Sequence, residues 1–141
     1  MVLGAGNVGL EVATRARALG WEVVATTTTP GRVEELSAYA DEVAVLVGSD
    51  AAAVKAAAEG CDAILVAASP RIMQSVTVED RARSYRDVLV ASCESAAAAC
   101  DSVVFLSSIS VYGDGTQATG DQLTEDVPRT TSDEPSSVYF G

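Results

Sequence analysis

Three glycines near the amino terminus, Gly4, Gly6 and Gly9, constrain this chain more than any other feature. Spaced Gly-x-Gly-x-x-Gly, they follow the apolar pair Val2-Leu3. Behind them comes a run with Val8, Val12, Ala16 and Leu19 at helical spacing, closed by Gly20. The stretch reads as the end of a buried strand, a tight turn and the first turns of an amphipathic helix. Each glycine has its own task in such a turn. Gly4 permits the sharp bend off the strand. Gly6 carries no side chain to hold a pyrophosphate away from the backbone, and Gly9 lets helix and strand approach closely. The N–H groups of the helix start, with Asn7 and Val8, then face phosphates, and the helix dipole adds positive character. The competing reading is a glycine turn with a structural purpose alone; the flanking strand and helix favour a dinucleotide.

The rest of the chain repeats this alternation. Strands are expected at Met1–Leu3, Glu22–Thr26, Val43–Val47, Ala63–Ala67 and Val103–Leu106. Helices are expected at Val8–Leu19, from Thr29-Pro30 through Tyr39, from a Ser49 or Asp50 cap through Glu59, and from Val78 to Cys100. The last of these carries Ala82, Tyr85, Leu89, Ser92 and Ala96 on one face. Apolar strands alternating with helices predict an α/β domain over residues 1–141, a Rossmann-type doubly wound parallel sheet with helices on both faces. Ligands of such sheets sit at the carboxyl ends of the strands, beside the switch in strand order. There the sequence puts Gly4–Gly9, Thr26–Thr29, Gly48-Ser49-Asp50, Ala68-Ser69-Pro70, and Ser107, Ser108 and Ser110. From Gly113 to Ser137 the chain turns polar and acidic, which reads as a long loop covering the site.

Composition narrows the partners. Nine basic against twenty acidic residues leave a formal charge of −11, which argues against nucleic acid or an anionic membrane. No apolar run approaches membrane-spanning length. Cys61, Cys93 and Cys100 have no metal-ligand spacing and are odd in number, so buried, reduced thiols in a reducing compartment are expected. The chain has no histidine, which removes His-based triads and most catalytic zinc sites, and no metal site is expected. Met1 falls inside the first strand and Gly141 in what reads as a helix start, so the expectation is the amino-terminal part of a longer chain.

The choice of dinucleotide turns on the end of the second strand. NAD-binding folds usually place an acid about 20 residues past the glycine motif, on the ribose 2′-hydroxyl. No acid lies between Thr26 and Pro30; Thr27 and Thr28 offer neutral hydroxyls, and Arg32 follows. A missing carboxylate removes repulsion toward a 2′-phosphate, and Arg32 could pair with one. The reading leans to NADP, with NAD also open. The alternative for Arg32 is a solvated residue in the first turn of a helix.

The second motif is Val103–Gly113, Val-Val-Phe-Leu-Ser-Ser-Ile-Ser-Val-Tyr-Gly. A strand delivering Ser-Ser-x-x-Val-Tyr-Gly to the ligand edge resembles the extended short-chain dehydrogenases/reductases, which include nucleotide-sugar epimerases and dehydratases. The glycine spacing and the Thr-Thr-Thr-Thr-Pro stretch look most like atypical members of that family. By that resemblance Ser108 matches the catalytic serine, which hydrogen-bonds the substrate oxygen. Tyr139 matches the tyrosine that opens a Tyr-x-x-x-Lys motif, whose lysine would fall beyond Gly141. Lys55 is the single lysine of the sequence. A tyrosine titrating near pH 10 needs such a cation to serve as an acid or base near neutrality. The plainer readings are that Ser107 and Ser108 finish the strand and that Tyr112 packs the loop.

Two functions follow from the resemblance. The first is oxidoreduction or epimerisation of a small-molecule or sugar-nucleotide substrate. The second is a non-catalytic Rossmann subunit that meets protein partners in a larger respiratory or photosynthetic assembly. A cofactor-free scaffold ranks last, because all three glycines are in place.

Overall fold

The computed structural model describes residues 1–70 and 77–112, with the side chains of Ile109 and Ser110 left out. The acidic segment from Gly113, Tyr139 and most of the Pro70–Thr77 loop lie outside the described residues. Among the described residues five strands form one sheet: β1 (Val2–Leu3), β2 (Val24–Thr27), β3 (Glu42–Val45), β4 (Ile64–Val66) and β5 (Val103–Phe105). All pairings are parallel, in the order β3-β2-β1-β4-β5. Val2 is in register with Ala25 on one side and Leu65 on the other, so the strand order reverses at β1.

The helices are α1 (Asn7–Ala18), α2 (Val33–Leu36), α3 (Ala51–Ala57), α4 (Val78–Tyr85) and α5 (Ala91–Ala99). They cover both faces of the sheet. Val2 and Ala25 pack with Ala13, Leu36 and Ala40 on one face. Leu3, Ile64 and Val66 pack with Val54, Ala58 and Ala96 on the other. Burying a side chain such as Leu36 or Ile64 completely contributes about 1.5–3 kcal/mol. Side-chain caps start two of the helices. Asp50, not Ser49, caps α3 by accepting the Ala53 N–H at 3.0 Å, and Thr77 caps α4 by accepting the Asp80 N–H at 3.0 Å.

Several expectations are corrected. The buried stripe of α1 is Gly9 and Ala13, with Leu10 and Ala16 packed beside them. Val8, Val12 and Leu19 are exposed, Leu19 by 77%. Contact with β1 is so close that a Cβ at Gly9 would overlap the Gly4 carbonyl and lie 3.0 Å from Val2 Cγ1. Only small side chains fit at that contact, so the larger ones turn outward. The helix expected through Tyr39 is instead a 3-10 turn at Pro30–Arg32 followed by the short α2. Thr29 holds the N-cap position, but its side chain caps nothing; its N–H donates to Thr27 Oγ1 at 3.1 Å. The long helix from Val78 is interrupted by a π turn at Arg86–Val90. Of the face expected there, Tyr85, Leu89, Ser92 and Ala96 are buried and Ala82 is partly buried. The three cysteines are free thiols, but each is only partly buried.

Candidate functional site

The amino-terminal turn is built by close approach. Gly4 has φ +98°, and a Cβ on it would stand 2.7 Å from both Cα and N of Ala68, just past β4. Buried Thr26 pins the turn to β2: its Oγ1 accepts the Gly4 N–H at 2.9 Å and its carbonyl accepts the Ala5 N–H at 2.9 Å. The Gly6 N–H donates back to the Gly4 carbonyl at 2.9 Å. Helix α1 then begins with the Leu10 N–H on the Gly6 carbonyl at 2.8 Å. The preceding N–H groups, of Asn7, Val8 and Gly9, have no intrahelical acceptor. Among the described residues no side chain caps this helix, and its first turn holds no acid. Among the described residues, a Cβ at Gly6 would meet nothing within 4 Å, so they leave the backbone bare on that side. Free donors, the positive end of the dipole and unobstructed backbone together suit an anion.

A cleft of about 490 Å³ opens above this turn. Its floor and near wall are Gly4, Ala5, Gly6 and Thr26–Thr29, with Arg32 at the side. Val47, Gly48, Ala67, Ala68 and Ser69 come from the ends of β3 and β4, and Ser84, Asp87, Val88 and Ser92 from the helical segment beyond. Ends of four strands thus meet where the strand order reverses, the expected ligand position of this architecture.

Of the residues singled out in the sequence, Gly4, Gly6, Thr27, Thr28, Arg32, Ala68 and Ser69 come together around this cleft. Gly9 lies buried against β1, while Asn7 and Val8 expose their side chains at the start of α1, and neither lines the cleft. Ser108 lies past the carboxyl end of β5, partly buried, and its carbonyl accepts the Val111 N–H at 3.2 Å. It is not among the residues lining the cleft. Lys55 is exposed on α3 and does not line the cleft either. Sequence reasoning missed Val47, Ser84, Asp87 and Val88 as lining residues, and placed Ser92 on one face of the long helix without giving it a part in the site. Asp87 and Val88 belong to the π turn, which widens the helix by one residue and has no local sequence signature; such turns recur at functional sites. Gly48 had a signal, a glycine directly after a strand. A Cβ there would overlap Ser92 Oγ and lie 3.0 Å from Ser92 Cβ.

Arg32 closes the 3-10 turn with its side chain partly exposed, and it is not a free cation. Its Nε and Nη2 donate to the two carboxylate oxygens of Glu35 at 3.0 and 2.7 Å, and its Nη1 donates to the Ala5 carbonyl at 2.9 Å. The hydrogen-bonded Glu35 raises the pKa of Arg32, and the guanidinium in turn holds the Glu35 carboxyl below its ordinary value. Burial pushes up the Cys93 thiol and the Tyr85 hydroxyl, the latter opposed by the charge of Arg81. Among the described residues no helix is long and apolar enough to cross a membrane.

Fold and cleft together define a dinucleotide-binding Rossmann domain. The family model described as NAD(P)H-binding matches residues 4–134, and the chain belongs to that family. Two solved structures share the fold. A short-chain dehydrogenase/reductase superfamily protein from Agrobacterium tumefaciens with bound NAD is 26% identical, with a TM-score of 0.68 over 99% of this chain and 40% of its own. The UDP-glucose 4-epimerase of Bifidobacterium longum, in complex with NAD+ and UDP, is 18% identical, with a TM-score of 0.72 over 99% of this chain and 45% of its own. The chain therefore spans less than half the length of either structure. No match is found among curated proteins.

Proposed function

We propose that this domain holds a nicotinamide dinucleotide with the pyrophosphate over Gly4, Gly6 and the first-turn N–H groups of Asn7, Val8 and Gly9. The observation that carries this reading is the uncapped α1 amino terminus beside an unobstructed Gly6. Thr27, Thr28 and Arg32 border the adenosine ribose, and the absence of an acid from Thr26 to Pro30 favours the 2′-phosphorylated cofactor, NADP, over NAD. Ala68 and Ser69 line the wall on the β4 side, toward the nicotinamide.

The bound dinucleotide supplies hydride transfer. The chain's own part is to hold it in one orientation and to place polar groups at the substrate. Ser108, at the end of β5, is the proposed hydrogen-bond donor to the substrate oxygen, and Tyr139 the proposed acid or base. The substrate class is a small alcohol or carbonyl compound, or a sugar nucleotide; the neighbouring epimerase, solved with UDP, supports the latter.

Calorimetric titration of the chain with NADH and with NADPH tests this reading. Both should bind, NADPH modestly tighter. Absence of binding by either would overturn it, and clearly tighter NADH would overturn the cofactor preference. A second reading, a non-catalytic dinucleotide-binding subunit with protein partners, is favoured by Ser108 standing outside the residues that line the cleft. Turnover of a sugar nucleotide by the isolated chain would refute that second reading.

A further inference from the structure

We infer that Glu35 limits the preference of this site for the phosphorylated cofactor by competing with a ribose 2′-phosphate for the guanidinium of Arg32. The inference rests on the proposed dinucleotide reading of the cleft. A guanidinium has five N–H donors in a fixed planar fork, and it binds carboxylate and phosphate through the same pair of parallel bonds. In this protein three of the five are engaged: Nε and Nη2 on the Glu35 carboxylate, and Nη1 on the Ala5 carbonyl. The paired edge that would suit a phosphate is thus held by a carboxylate three residues along the same short helical segment. Arg32 borders the cleft beside Thr27–Thr29. A 2′-phosphate arriving there meets a neutral ion pair rather than a bare cation, and to gain the bidentate edge it must displace the Glu35 carboxylate. An uncharged ribose hydroxyl needs no such displacement, so Glu35 penalises the phosphorylated cofactor selectively.

The Ala5 contact makes the competition local. By bonding a carbonyl of the glycine turn, Nη1 holds the guanidinium at the cleft wall whether or not Glu35 is charged. Removing the negative charge therefore frees donors that already stand at the site. Glu35 is 51% exposed, so its replacement leaves the core intact.

The test is calorimetric titration of the chain and its Glu35→Gln variant with NADPH and with NADH, at low salt. The variant should bind NADPH about three- to tenfold tighter, the range for one screened charge-assisted contact, with NADH changed less than twofold. The gain should vanish in the Arg32→Met, Glu35→Gln double variant, since the coupling runs through the guanidinium. An unchanged ratio of the two affinities in the single variant would overturn the inference alone. A gain that persists without Arg32 would also overturn it. Failure of the unmodified chain to bind either dinucleotide would overturn the cofactor reading, and this inference with it.

Discussion

Gly4 and Gly6 sit two residues apart, yet alanine should act on them in opposite ways. At Gly4 the backbone has φ +98°, where a side chain costs roughly 1–2 kcal/mol through its clash with the neighbouring carbonyl. The added Cβ would also lie 2.7 Å from Cα and N of Ala68, both backbone atoms that cannot rotate away. Overpacking of this kind adds about 1–3 kcal/mol. The Gly4→Ala variant should therefore lose about 2–5 kcal/mol, a large share of the roughly 5–15 kcal/mol that holds a domain folded. At about 3 °C per kcal/mol for a chain of this size, its Tm should fall by roughly 6–15 °C. At Gly6 the backbone is extended, with φ −80°, and a Cβ would meet nothing within 4 Å. Gly6→Ala should fold with a loss of no more than about 1 kcal/mol, the cost of alanine at an N-cap. It should nonetheless weaken NADH and NADPH alike, because the methyl group projects where the pyrophosphate is proposed to lie. Urea unfolding followed by circular dichroism, with calorimetric titration of both variants, separates the two effects. A Gly4→Ala protein as stable as the parent, or a Gly6→Ala protein that binds with undiminished affinity, would refute the reasoning.

Other residues around the cleft yield checks of the same kind. Thr26→Val removes the oxygen that accepts the Gly4 N–H at 2.9 Å and leaves a partly buried donor unpaired; urea unfolding should show a loss of about 1–3 kcal/mol. Gly48→Ala drives a methyl group into Ser92 and should cost about 1–3 kcal/mol, part of which returns in the Gly48→Ala, Ser92→Gly double variant; equal losses in both would argue against the contact. Burial holds the Cys93 thiol above its ordinary value of 9.0, so the folded protein binds that proton more tightly than the unfolded chain. Its contribution to stability is complete below pH 9.0 and declines as pH rises through the folded value, a decline that the Cys93→Ala variant should lack in unfolding curves measured across that range.

The amino-acid sequence alone determined the architecture and the location of the ligand edge. Both rest on short-range chemistry. Gly4 is needed where the backbone turns to positive φ, apolar runs such as Val103-Val104-Phe105 make strands, and Asp50 and Thr77 start helices through bonds to residues three positions on. These interactions lie within a few residues, so the order of residue types encodes them directly. Tertiary structure decided what depends on residues far apart in the chain. Spacing marked Val8, Val12 and Leu19 as the inner face of α1, but the closeness of Gly9 to β1 turned Ala13 inward instead. No periodicity could show that Arg32 reaches the carbonyl of Ala5, 27 residues earlier, while holding Glu35. Nor could it show that a π turn would bring Asp87 and Val88 to the cleft, or that Gly48 would rest on Ser92. Which atoms meet across the cleft depends on how closely helices and sheet approach, and that distance is set by packing the whole core at once.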